Sequence, residues 1–154
     1  MPLLLPFLTL LALLASSSNE ESAAAVECLN GIRPALLTGG FSGATDCDHD
    51  RLSVQHVGRV QRFGRVFEIY SYRYRLKSVC PDCARHDGQR VIFMELGRYV
   101  GQYKPDSVRV TVSHGGLVLV PTVPAYGKPV VVGFTRAGPA KHLLVGGDVI
   151  DLFR

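Results

Sequence analysis

Val66-Phe67-Glu68-Ile69-Tyr70-Ser71-Tyr72-Arg73-Tyr74-Arg75-Leu76 is the stretch that decides the fold class. In a β-strand successive side chains point to opposite faces. Tyr70, Tyr72, Tyr74 and Leu76 therefore share one face. Ser71, Arg73, Arg75 and Lys77 share the other, with Phe67 and Ile69 nearer the start. The pattern predicts a strand with an aromatic face and a basic face.

The same period continues on both sides. Upstream, Leu52, Val54, His56, Gly58 and Val60 alternate with Ser53, Gln55, Val57 and Arg59, and Phe63-Gly64 punctuates. Downstream, a loop is expected over Cys80 to Gln89, followed by an apolar strand over Val91 to Leu96. Gly97 and Gly101 bracket Tyr99, and Lys104-Pro105-Asp106-Ser107 is a turn signal. Val108, Val110 and Val112 run into Ser113-His114-Gly115-Gly116 and then Leu117 to Val120, which reads as a hairpin. Val130 to Phe134 reads as one strand, Arg136 to Lys141 as a loop, and Leu143 to Val145 with Val149 to Phe153 as a closing hairpin. The expectation is an all-β domain over residues 51–154: a small sandwich or barrel of about seven or eight short antiparallel strands. Residues 26–50 are rich in turn residues and read as an irregular N-terminal arm, with one short turn of helix or strand near Ile32 to Leu37.

The N-terminus has a different character. Leu3 to Leu14 is apolar, nearly all leucine and uncharged, too short for a bilayer span of roughly 20 residues. It has the length of a signal-peptide apolar region, although no Lys or Arg precedes it. Small residues offer cleavage after Ser17 or Ala25, and Ala25 is preferred because it leaves a short tail. Residues 1–25 are thus expected to be a signal peptide, and the protein to be secreted or periplasmic. The remainder, about 129 residues, is one domain by length. It carries 17 basic and 11 acidic side chains once Glu20 and Glu21 are removed, a net charge of +6. A basic surface attracts lipid headgroups, nucleic acid or acidic glycans. No second apolar stretch reaches membrane length, so no transmembrane segment is expected in the mature chain.

Four cysteines, Cys28, Cys47, Cys80 and Cys83, read as two disulfides in an exported chain. Cys28–Cys47 with Cys80–Cys83 is the favoured pairing. The competing one joins each arm cysteine to one of the Cys80-Pro81-Asp82-Cys83 pair. The same motif raises two alternatives. A dithiol exchanging electrons would need a depressed thiol pKa, and no long helix starts at Cys80 to supply it. A zinc site could draw on Cys47, His49, Cys80, Cys83 and His86, whose spacings suit the metal.

Other motifs fall short of the chemistry they resemble. Asp46, Asp48 and Asp50 begin like a calcium loop, but Arg51 stands where Gly is required and Val57 where the closing Glu belongs. His114-Gly115-Gly116 has no G-x-S-x-G elbow to accompany it, and no phosphate loop occurs. The sequence therefore predicts an exported binding or structural module without catalysis and with no cofactor. The basic residues Arg73, Arg75 and Lys77 are the candidate contacts for an anionic polymer or envelope partner. The alternative is a thiol-disulfide or zinc function at the Cys80–Cys83 loop.

Overall fold

A four-stranded antiparallel meander carries the fold: β1 (Ser53–Arg62), β2 (Arg65–Arg75), β3 (Asp87–Glu95) and β4 (Arg98–Tyr103), side by side in that order. The computed structural model describes residues 29, 31–45, 52–75, 80 and 87–154. The expected signal segment 1–25 lies outside the described residues, as do Cys28, Cys47, His49, Lys77, Cys83, His86 and the acidic run from Asp46 to Asp50.

The tyrosine-rich stretch forms β2 with the predicted alternation, and each of its faces contributes to a separate core. Phe67 and Ile69 join Val91 and Phe93 of β3 and Tyr103 of β4 in one core. That core is closed by the C-terminal third of the chain: β5 (Val108–Ser113), β6 (Gly116–Pro121), β7 (Val130–Val131), β8 (Phe134–Thr135), β9 (Gly138–Pro139), β10 (His142–Val145) and β11 (Asp148–Asp151). Its aromatic centre is Phe93, set edge-on to Tyr103 at 5.3 Å and to Phe134 at 6.2 Å, with Phe67 a further 5.3 Å from Phe134. On the opposite face Tyr72, Ile92 and Met94 pack against the arm through Leu29, Ile32, Leu36 and Phe41.

The arm contains one short helix, α1 (Arg33–Thr38), where the sequence predicts a turn of helix or strand. Pro34 fits its first turn, where a missing N–H is harmless. Gly39 donates to Ala35 O at 2.9 Å and Phe41 to Leu36 O at 3.0 Å, which ends the helix and turns the chain back onto the sheet. Six residues make a marginal helix. Burial of Leu36, which is fully inaccessible, holds it in place.

The all-β expectation is met, with differences of detail. The described strands form four separate antiparallel sheets, and none closes into a barrel. Among the described residues eleven strands replace the seven or eight expected, because several are only two residues long. Val130 to Phe134 is not one strand. Val130 and Val131 pair with β6, and past Gly133 the chain leaves to pair Phe134 with Pro139. β3 begins at Asp87, inside the expected loop, because Asp87 pairs with Arg75 across the sheet. In β1 the alternation breaks at a bulge between His56 and Gly58. One extra residue swaps faces, so Val54 packs towards the arm whereas Val57 and Val60 pack towards the C-terminal core.

Candidate functional site

Four hairpin tips meet at one end of the meander. In an up-and-down sheet the β1–β2 and β3–β4 connections turn at the same end. Their tips are Phe63-Gly64, between paired Arg62 and Arg65, and Leu96-Gly97, between paired Glu95 and Arg98. Arg65 joins them, donating from Nε and Nη2 to the two carboxylate oxygens of Glu95 at 2.6 and 2.5 Å. Its Nη1 donates to Arg136 O at 2.8 Å, which brings in the β8–β9 turn. Arg62 reaches the β5–β6 tip: Cβ atoms placed on Gly115 and Gly116 would lie 3.6 and 3.8 Å from its Nη1 and Nη2.

Two-residue hairpin loops of this hand need positive φ at both central residues, which favours Asn-Gly or Gly-Gly. Here the first central residue is Phe63 (φ 51°), Leu96 (φ 48°) or His114 (φ 49°). A left-handed backbone costs an ordinary L-residue about 1–2 kcal/mol. Phe63 and Leu96 also hold their side chains in water, at 59 and 92 % exposure. These tips thus give up stability twice, through backbone strain and through exposed apolar surface.

The charge around them is one-sided. Arg62, Arg98, Arg136 and Arg154 are exposed. Arg154 and Arg98 line a shallow hollow beside Leu96. Glu95 is the acidic side chain among these tips and is committed to Arg65. That bidentate bond holds the Glu95 carboxyl below its ordinary range, against the opposing effect of burial. The far end of β4 has the other sign. A hollow of about 440 Å³ there is lined by Asp106, Asp148 and Asp151 with Lys104 and Phe153.

The pairing at Glu95 has a pH signature. A carboxyl with a folded pKa below its unfolded value contributes stability that is complete above the unfolded value and is lost as pH falls through the folded one. The Glu95→Gln variant is therefore expected to be less stable than wild type by about 1–2 kcal/mol at pH 7. The gap should close in acid. Urea midpoints of the two proteins at neutral pH and below pH 4 test this, and a gap unchanged by acid would refute it.

The residues singled out from sequence are placed differently. Tyr70, Tyr72 and Tyr74 pack towards the arm, so this face is core and not an open stacking platform. Arg75 is committed to Asp87 through bonds of 2.6 and 2.9 Å. Arg73 is exposed, and its Nη2 donates to Val108 O at 3.3 Å. Cys80 is disulfide-bonded. The other three cysteines, both histidines of the metal alternative and Lys77 lie outside the described residues. Among the described residues no cluster of three or more His, Cys, Asp or Glu could hold a metal ion. No helix there is long and apolar enough to cross a membrane. The hairpin-tip end was missed in the sequence, although each aromatic- or leucine-glycine pair between strand patterns was a readable signal. Comparison with protein-family models, with the curated proteins and with the solved structures returns no match, so the reading of this site rests on its own geometry.

Proposed function

We propose that this chain is an exported, disulfide-stabilised binding module that docks on an anionic membrane surface through its hairpin tips. The observation that carries this reading is the pairing of exposed, strained Phe63 and Leu96 with the arginines around them. Arginine beside an anionic headgroup layer contributes about 1 kcal/mol per residue. An apolar side chain of this size contributes about 1.5–3 kcal/mol when fully buried. Neither set anchors a domain alone, and together they make a reversible contact. A soluble polymer would use the arginines but gives Phe63 and Leu96 nothing to enter, which favours the lipid surface.

Export is supported by the signal-like Leu3 to Leu14 segment and by the disulfide at Cys80. The proposed pairing is Cys28–Cys47 with Cys80–Cys83, the first bridge stapling the arm. A loop of roughly 20 residues gains about 3 kcal/mol in the chain-entropy account, whose mechanism is model-dependent. A zinc function at Cys80 would require that bond to be reduced.

Sedimentation with phosphatidylcholine vesicles, with and without phosphatidylglycerol, tests the docking. Wild type is expected to bind only the anionic vesicles, and less as salt rises. Phe63→Ser/Leu96→Ser and Arg62→Gln/Arg98→Gln/Arg136→Gln should each lose at least about tenfold in affinity, the factor that 1.4 kcal/mol represents. Leu96→Asn separates docking from packing. Asparagine tolerates the left-handed backbone, so this variant should gain about 1 kcal/mol of stability while binding vesicles more weakly. Retention on heparin without vesicle binding would replace the membrane by a soluble polyanion. Binding to neither would end the reading.

A further inference from the structure

A second anomaly lies on the other face of the sheet, under the arm. Arg90 of β3 is in phase with Ile92 and Met94 and is only 9 % exposed. Its guanidinium is flanked by two rings, with the carbon 5.6 Å from the Phe41 centroid and 5.5 Å from that of Tyr74. Nη1 donates to Gln102 Oε1 at 3.1 Å and to Ser42 Oγ at 3.3 Å, both neutral. Nε is buried and has no acceptor among the described residues. Among the described residues no carboxylate lies within ion-pair distance of it.

This is an expensive arrangement. The effective penalty for burying an ion is several kcal/mol, normally recovered from an opposite charge with good geometry. Cation–π contacts return about 2 kcal/mol when desolvated, and hydrogen bonds to neutral acceptors leave the charge itself unbalanced. A second donor in the same cluster is also unmet: the Tyr99 hydroxyl is buried without a partner among the described residues. Phe41 connects the two, with the Tyr99 ring 5.8 Å from its own. Burial pushes the Tyr99 hydroxyl up to about 12, with the field of Arg90 opposing, so it remains a donor at every ordinary pH. The cluster therefore offers unsatisfied donors and a positive charge. What it lacks, among the described residues, is an acceptor with negative charge.

We infer that Arg90 is the anchor of a carboxylate-binding site between the arm and the sheet, entered beside Ser42. Arginine presents a planar fork that matches a carboxylate in two-point contact. Ser42 is exposed, bonds to Nη1, and accepts from Gln102 Nε2 at 3.2 Å, so the site opens to solvent at that residue. A bound carboxylate would sit against residues of both the arm and the sheet, and so would tie the two together. The carboxylate could belong to a small organic acid or to the C-terminus of a peptide, since both present the same group. This site is independent of the hairpin tips, and its test uses no membrane.

The experiment is thermal unfolding of the full mature chain in acetate, in a short peptide with a free C-terminus, in the same peptide amidated, and in chloride, all at one ionic strength. A ligand that binds only the folded state raises Tm with the logarithm of its concentration, by roughly 5–10 °C at a hundred times Kd. Acetate or the free peptide should do this, and chloride and the amidated peptide should not. Arg90→Met should unfold at a higher temperature than wild type without ligand, because a buried unpaired charge is replaced by an apolar chain of similar length. It should also lose the carboxylate response. Arg90→Lys should keep the charge, lose the fork and respond at least about tenfold more weakly. A larger response to acetate than to peptide assigns a small acid, and the reverse assigns a chain end. Three results would overturn the site: equal shifts in chloride and acetate, Arg90→Met destabilised with no carboxylate response in wild type, or a response that emerges only when Asp46, Asp48 and Asp50 are changed to Asn. The last would make the chain itself the source of the counter-charge.

Discussion

Truncation of Phe93 to alanine is expected to lower the free energy of unfolding by about 3–5 kcal/mol, the range for a large aromatic removed from a packed interior. Phe93 is fully inaccessible. Its ring is edge-on to Tyr103 on the neighbouring strand and to Phe134 from the C-terminal third, at 5.3 and 6.2 Å. The cavity would thus open where the meander meets the strands that cover it, with two large rings left facing the void. The neighbours cannot collapse cheaply. Phe67 and Ile69 on β2 and Val91 on β3 are equally buried and fixed by the sheet register. The chain has no tryptophan, so tyrosine fluorescence and near-ultraviolet circular dichroism in a urea titration are the readouts. Leu144→Ala is the matched control. That leucine is 63 % exposed and its loss should shift stability by no more than about 0.5 kcal/mol. A Phe93→Ala penalty under about 1 kcal/mol would mean that the C-terminal third is not packed on the sheet as described.

The contrast between Phe93 and Arg90 shows what could be read from the chain. Alternation around Tyr72 was legible because the period of a strand is fixed by backbone geometry, and the Phe93 strand was legible as a short continuous apolar run. The alternation does not say what lies opposite each face. The arm supplies that cover for the tyrosines, through contacts as distant in sequence as Phe41 and Tyr72. Arg75 read as a free cation because Asp87, its partner across the sheet, fell within an expected loop. Register, which local sequence does not set, made the pair. The bulge at His56/Gly58 was equally hidden, since one extra residue leaves the apolar count of β1 unchanged while exchanging its faces. At the hairpin tips each turn was legible by itself. Their convergence depends on the order of the strands. Arg90 was in principle visible, as a charge in phase with Ile92 and Met94, but only the arm makes that phase an interior one.

The arm should be the first part of the molecule to open, and Tyr72→Ala is the substitution that opens it. Tyr72 is 1 % exposed, its ring lies 5.4 Å from Phe41, and its hydroxyl donates to Ala44 O at 2.8 Å. It therefore grips the arm by packing and by a hydrogen bond. Truncation to alanine should remove about 3–5 kcal/mol from that interface. Tyr72→Phe keeps the ring and should cost about 1 kcal/mol, the value of one ordinary hydrogen bond. Where the loss is felt matters as much as its size. The opposite face has its own core, from Val60 and Phe67 through Leu117 to Ile150, which includes none of the described residues of the arm. Tyr72→Ala is then expected to unfold in two steps, arm first, with protease cutting near Gly39-Gly40 while near-ultraviolet signals from the Phe93 core persist. Local opening of this kind, at a free energy below that of global unfolding, is the behaviour of a segment with few buried contacts of its own. A single transition displaced by the full amount would instead make the arm an inseparable part of the β fold. In that case the same variant, having emptied the layer that surrounds Arg90, should also abolish any carboxylate response only by unfolding the protein.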